Sequence, residues 1–152
     1  MLTHRQAVEA FEKLETQYET QKPFSQTAVD TVIEAIHASF TFRDYVMGEL
    51  PNLKDTATAL DFLTAMLPLV AEEKRTPLYT IMSGYYYETG DVELAMVSLV
   101  QAQLLDPEYS LAKLFNRVFQ AGWAHDAFPS MRAELHPKVS AELFENLELE
   151  LA

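Results

Sequence analysis

Apolar side chains recur every three to four residues along most of the chain, which is the period of an amphipathic helix. A clear example is the stripe formed by Val29, Val32, Ile33, Ile36 and Phe40. No segment shows the strict alternation of apolar and polar residues that is typical of a half-buried strand. The pattern predicts an all-α fold, a single irregular bundle of seven to nine helices.

Caps and prolines locate the ends of the predicted helices. Thr3 and Gln6 form a capping box, in which each side chain satisfies a free backbone N–H at the helix start. Thr76-Pro77 gives a cap-then-proline helix start, and Asp106-Pro107 repeats it. Pro68 is expected to kink its helix, because its ring removes one N–H and crowds the preceding turn. The predicted helices occupy about residues 4–20, 26–40, 41–48, 55–73, 77–88, 92–105, 107–121 and 138–151, with one short helix within 123–136.

The helix that follows Pro77 is apolar or aromatic on nearly all sides, so it is expected to lie in the middle of the fold. Its three successive tyrosines, at positions 85 to 87, fan through about 200° of the helix circumference. Either they pack in the core with their hydroxyls on polar partners, or Tyr85 or Tyr87 lines a groove or an oligomer contact. Trp123 allows the same two interpretations, a staple on the preceding helix end or an exposed anchor.

Apolar residues spaced by four form a stripe on the last predicted helix: Val139, Leu143, Leu147 and Leu151. A chain of this length has few other helices to cover such a stripe. It therefore either folds back on the core or contacts a second copy of the chain. We favour the homodimer. The candidate interaction surface consists of Tyr85, Tyr87, Trp123, Leu143 and Leu147.

The composition is that of an ordinary globular protein, with 152 residues, of which 49% are hydrophobic and 22% are charged. This length suits one domain. We expect a single helical domain over residues 1–152, with N-terminal helices over about 1–52, a central hairpin region over 53–122 and C-terminal helices over 123–152. The absence of cysteine excludes disulfides, thiolate metal sites and a cysteine nucleophile.

The net charge of −12, from 23 acidic and 11 basic residues, limits the partners of the protein. Such a chain is repelled by phosphate backbones and by anionic membrane surfaces, so we expect neither nucleic acid nor a membrane as a partner. No apolar stretch approaches the ~20 residues of a membrane span. The first residues also lack the apolar run of a signal peptide. We expect a soluble cytoplasmic protein.

Two histidine motifs invite a metal or catalytic interpretation. Glu34 and His37 have the Glu-x-x-His spacing of carboxylate di-iron bundles, but such sites need a second copy of the motif and further glutamates. His125 and Asp126 resemble a base and its orienter, but adjacent residues point apart and no nucleophile motif accompanies them. The 4 scattered glycines build no phosphate loop. We therefore expect no enzyme, no metal and no cofactor.

Residues 76–109 resemble one helical hairpin of the tetratricopeptide type. Small residues at Ser83, Ala95 and Ala102 would let two helices approach closely, and Tyr86 and Leu99 would fill the space between them. No second copy of the repeat is readable elsewhere, so we interpret this segment as a repeat-like hairpin inside an irregular bundle. The matching positions are Tyr79, Met82, Ser83, Tyr86, Gly90, Asp91, Ala95, Leu99, Ala102, Asp106 and Pro107.

A second resemblance covers about residues 28–121. It is carried by residues 43–46, by residues 84–91 together with Ala95, and most clearly by residues 104–114. These segments are similar to the helical C-terminal half of an actinobacterial family of uncharacterised proteins, domain of unknown function 4192. Such proteins usually carry a further N-terminal half that looks α/β. The resemblance implies a helical fold and no assigned activity.

We expect the protein to be a non-enzymatic helical module that binds a protein partner or itself. The alternative is an acidic inhibitor that mimics a phosphate backbone and sequesters a nucleic-acid-binding protein. An enzyme of unknown type is the third possibility. A tyrosine-lined apolar groove would favour the binding module, and a single carboxylate face would favour the mimic. The densest acidic tract consists of Glu142, Glu145, Glu148 and Glu150.

Overall fold

The computed structural model describes residues 1–151 and confirms the all-α bundle. Within these residues it contains eight α-helices and no strand, and the one extended pairing is an isolated antiparallel bridge between Thr3 and Glu150. The helices are α1 (His4–Glu19), α2 (Gln26–Ala38), α3 (Phe40–Glu49), α4 (Thr56–Met66), α5 (Thr76–Glu88), α6 (Val92–Leu105), α7 (Ser110–Gln120) and α8 (Ala127–Glu145). None of these helices has the length and apolar character to cross a membrane.

Local capping explains where several helices begin. The Thr3 hydroxyl accepts from the Gln6 backbone N–H at 3.2 Å, and the Gln6 side chain accepts in return from the Thr3 N–H at 2.8 Å. Asp91 accepts from the Leu94 N–H at 3.1 Å, so α6 starts where its sequence predicts. The preceding turn passes through Gly90 at a φ of 84°, a left-handed conformation that glycine adopts without strain.

Two predicted caps are wrong. Thr76 already lies inside α5, whose N-cap is Arg75, and the buried Thr76 hydroxyl has no hydrogen-bond partner among residues 1–151. Asp106 instead accepts from the Glu108 N–H at 3.1 Å, which closes a turn rather than a helix start. For this reason α7 begins only at Ser110.

The two prolines that interrupt helical patterns behave in opposite ways. At Pro68 the predicted kinked helix ends instead: α4 stops at Met66 and a 3₁₀ turn over Leu67–Leu69 follows. At Pro137 the predicted break is absent, and α8 continues through the proline from Ala127 to Glu145. Proline costs a helix one hydrogen bond, but α8 is held before Pro137 by the bonds of Arg132 and His136 to α5 and α3, and after it by the burial of Leu143.

Helix α5 lies at the centre of the fold, as its apolar circumference predicts. Only three of its residues, Tyr79, Tyr86 and Glu88, are not fully buried. It borders two hydrophobic cores. The first contains Phe11, Leu14, Val29, Val32, Ile36, Phe42, Phe62, Leu63, Ile81 and Tyr85. The second contains Tyr87, Ala95, Leu99, Ala102, Phe115, Val118, Phe119 and Phe128.

The C-terminal stripe folds back on the first core. Leu143 is fully buried, Leu151 is 8% exposed, and Leu147 is half-buried against the same core. Backbone bonds fix this segment to the start of α1: the His4 N–H donates to the Leu149 carbonyl at 3.1 Å, and the Arg5 N–H donates to the Leu147 carbonyl at 2.8 Å. Of the two alternatives for this stripe, the structure therefore shows the contact with the core.

Candidate functional site

A cavity of about 260 Å³ lies between α3, α5, α7 and α8. We call it the α5/α8 cavity. Its walls are mainly apolar, and its polar side chains come from α3, the end of α5 and the middle of α8. The apolar wall comprises Met47, Ile81, Tyr85, Leu111, Leu114, Phe115, Phe128, Met131, Leu135 and Val139, and the polar groups are Arg43, Asp44, Glu88, Arg132 and His136.

Two glycines let the surrounding helices approach this cavity. A Cβ atom at Gly84 would lie 2.9 Å from Cε2 of Phe115, and a Cβ atom at Gly48 would lie 2.4 Å from Nδ1 of His136. Both distances are shorter than van der Waals contact. Glycine at these positions therefore allows α7 to pack on α5 and α8 to pack on α3.

The main polar feature of the cavity is an ion pair between Arg132 and Glu88. Nη1 of Arg132 donates to Oε1 of Glu88 at 2.5 Å, and Nη2 donates to Oε2 at 2.9 Å. The Glu88 carboxylate also accepts from the Thr56 hydroxyl at 3.2 Å, and its side chain is only 4% exposed. A guanidinium group has five N–H donors. Three donors of Arg132 therefore have no partner within residues 1–151.

A second arginine closes the α3 end of the cavity. The Arg43 side chain is 8% exposed, and its Nε and Nη2 atoms contact Oδ1 of Asp44 at 3.0 and 2.9 Å. Nη1 donates to the Tyr109 hydroxyl at 3.3 Å, and the guanidinium lies 4.5 Å from the centroid of the Phe40 ring. Burial raises the pKa of Tyr109, although Arg43 acts in the opposite direction. Both arginines of the cavity thus have their charge compensated by a carboxylate.

His136 connects the cavity to two acidic residues, Glu49 and Glu15. Nε2 of His136 donates to Oε2 of Glu49 at 2.8 Å, because a carboxylate only accepts, and the ring stacks on Tyr45. The other ring nitrogen is buried against Gly48 without a partner in residues 1–151. Burial, and then the charge of Glu49, raises the pKa of Glu15 from 4.5 to about 7. The same two causes raise the pKa of Tyr45.

A second feature lies on the outer side of α6, away from the cavity. Leu94, Val97, Val100 and Leu104 are 43, 50, 47 and 78% exposed, and their spacing places them along one side of the helix. We call them the α6 apolar face. Within α6, Glu93 is the one charged residue. This face was not predicted from the sequence. The available signal was that α6 is apolar around most of its circumference, more than one core contact can bury.

The structure does not bring the five predicted interaction residues together on one surface. Tyr85 is 1% exposed and donates its hydroxyl hydrogen to the Met47 carbonyl, at the wall of the cavity. Tyr87 is 3% exposed and donates to the Trp123 carbonyl. The surface placement of Tyr85, Tyr87 and Leu143 is therefore corrected: tertiary packing surrounds them. Trp123 is 46% exposed, and Leu147 is half-buried.

The histidine motifs make structural contacts. His37 lies on the exposed side of α2, where Nε2 donates to the Lys74 carbonyl at 3.1 Å. Nδ1 of His125 donates to the Tyr87 carbonyl at 2.8 Å. Over residues 1–151, no group of three or more histidine, aspartate or glutamate side chains is placed to hold a metal ion.

The fold and the cavity define an acidic, all-α protein with a mostly apolar pocket between its central and C-terminal helices. The chain belongs to the family described as domain of unknown function (DUF4192), whose sequence model matches residues 2–125. The match ends before α8, which supplies one wall of the cavity. Neither a curated protein nor a solved structure matches the chain significantly.

Proposed function

We propose that the protein is a non-enzymatic helical interaction module that associates with a second copy of itself through the α6 apolar face. The observation that carries this proposal is the exposure of four aliphatic side chains on one side of a helix with a single charged residue. Contiguous apolar patches of a few hundred Å² on a monomer commonly mark contact surfaces.

Charge favours a self-contact at this face. The chain carries a net charge of −12, so two copies repel each other wherever their acidic surfaces meet. Glu93 lies four residues before Val97 on the same side of α6 and is the one charged residue of the helix, so a contact here brings only one carboxylate from each copy to the interface. A two-fold dimer uses the same patch on both subunits, and an aliphatic stripe is complementary to itself.

The size of the face predicts a weak dimer. Stable interfaces bury about 800 Å² on each partner, which is more than one stripe of four aliphatic side chains provides. Association should therefore depend on protein concentration. It should also strengthen with added salt, because salt screens the repulsion between the acidic copies and leaves apolar burial in place.

Sedimentation equilibrium from micromolar to millimolar protein tests the proposal. We expect the mass to rise from 17.3 kDa toward twice that value, and to rise earlier at higher salt. Leu104→Glu should abolish the rise. Leu149→Glu is the matched control, since Leu149 is 59% exposed outside α6 and should associate like the wild type. A constant mass of 17.3 kDa for the wild type would overturn the proposal.

A further inference from the structure

We propose that the α5/α8 cavity binds a small neutral molecule with an apolar body and one carbonyl oxygen. The site is separate from the α6 apolar face, so this proposal does not rest on self-association. It follows from three properties of the cavity: its volume, the unused donors of Arg132 and its apolar entrance.

The volume suits a small organic molecule. A dry apolar cavity of about 150 Å³ is enough to hold benzene, and this cavity measures about 260 Å³. The surplus accommodates a ring with a short substituent. Ile81, Phe115 and Phe128 supply aliphatic and aromatic wall, and these three side chains are buried in the folded chain. An apolar body would therefore leave water for a surface that is already desolvated.

The polar end of the cavity selects a neutral acceptor. The bidentate bond with Glu88 fixes the Arg132 guanidinium, so its remaining N–H donors are held in place before a ligand arrives. A carbonyl oxygen can accept from such a donor. Because Glu88 and Asp44 already compensate the two arginines of the cavity, a carboxylate ligand would find no uncompensated arginine charge there. Burying an anion without a compensating charge costs more than burying a neutral carbonyl group, so the neutral ligand is favoured.

The entrance is apolar and open. Leu114 on α7 and Met131 and Leu135 on α8 line the cavity, yet they are 42, 40 and 46% exposed. Side chains that line a cavity and also face solvent mark the route from solvent into the cavity. A bulky residue at one of these positions should close the route while leaving the buried wall intact.

The test is an NMR titration of the full chain with three matched aromatic probes: acetophenone, ethylbenzene and benzoate. We expect acetophenone to give saturable shifts of the methyl signals of Ile81 and Leu135. Ethylbenzene has a similar body but no acceptor, so it should bind about fivefold more weakly, the effect of one net hydrogen bond. Benzoate should bind more weakly than acetophenone.

Leu135→Trp tests the location of the site. It fills the entrance from an exposed position, so circular dichroism should show a wild-type fold while acetophenone binding falls at least tenfold. Leu149→Trp is the matched control and should bind like the wild type. The proposal is overturned if acetophenone gives no saturable shifts, if ethylbenzene or benzoate binds as tightly as acetophenone, or if Leu135→Trp still binds normally.

Discussion

Removing Arg132 should be one of the most destabilising single changes in the protein. Arg132→Met leaves the Glu88 carboxylate, whose side chain is 4% exposed, with the Thr56 hydroxyl as its one remaining partner. Breaking a buried ion pair from one side costs about 3–5 kcal/mol, because it leaves a desolvated charge without compensation. The guanidinium side chain is 20% exposed, which places the expected loss near 3 kcal/mol. That is a large part of the 5–15 kcal/mol by which domains are usually stable.

A double-mutant cycle separates this charge effect from lost packing. Glu88→Met alone should also destabilise, since it leaves Arg132 partly buried without its carboxylate. The double variant Arg132→Met/Glu88→Met places two apolar side chains where the ion pair stood, and such replacements are often nearly neutral. We expect the double variant to be more stable than Arg132→Met, which gives a coupling energy of about 2 kcal/mol or more.

The assay is urea unfolding followed by far-ultraviolet circular dichroism. Lys113→Met provides the control for a surface pair. Lys113 and Glu108 are also joined at 2.5 Å, but their side chains are 46 and 83% exposed. Exposed ion pairs contribute little to stability, so that loss should be much smaller than the loss from Arg132→Met. The inference that this pair is desolvated is wrong if Arg132→Met lowers the free energy of unfolding no more than Lys113→Met does. It is also wrong if the loss in the double variant equals the sum of the losses in the two single variants.

Four further predictions follow from packing and charge. Ala95→Leu places a larger side chain where the structure has a fully buried alanine, so the free energy of unfolding should fall by about 1–3 kcal/mol in urea. Gly48→Ala should lower the melting temperature, because its Cβ atom would displace the His136 ring; an unchanged melt would show that α8 can shift freely. The pKa of Glu15 is raised to about 7 in the folded protein, so ionisation of this carboxyl lowers the free energy of unfolding. The loss develops as the pH rises from 4.5 to 7. Glu15→Gln should therefore raise the free energy of unfolding by roughly 1 kcal/mol at about pH 8, after allowance for solvent screening, and leave it unchanged at about pH 4. The wild-type protein should not retain DNA in a gel-shift assay at moderate salt; retention that weakens with added salt would reveal a basic surface.

Local signals predicted much of the fold. The capping box at Thr3 and the cap at Asp91 place two helix starts where the structure has them, because each depends on residues three apart in the chain. Pro137 shows the limit of this reasoning. Considered alone, a proline in the sequence indicates the end of a helix. Helix α8 nevertheless continues, because Arg132 and Leu143, on either side of Pro137, are fixed by residues of other helices.

The cavity could not be predicted from sequence. Its ion pair joins residues that are 44 positions apart, and neither carries a local motif. In the sequence alone, the glycines at its walls indicate helix ends or weak points. In the structure each is needed because a side chain of a different helix occupies the space of a Cβ atom. The α6 apolar face escaped prediction for a different reason. Its residues were visible as apolar, but burial of a helix depends on how many neighbours it has, and α6 has contacts mainly with α5.

The backbone hydrogen bonds between α1 and the segment after α8 also determine when α1 is completed during synthesis. The first N–H groups of a helix have no acceptor within it, and in α1 those of His4 and Arg5 donate to the carbonyls of Leu149 and Leu147. The ribosome makes α1 before α8, and these acceptors emerge only after α8. The first turn of α1 can therefore reach its final form only after α8 has been made, and until then the Thr3 capping box is the contact available to close it.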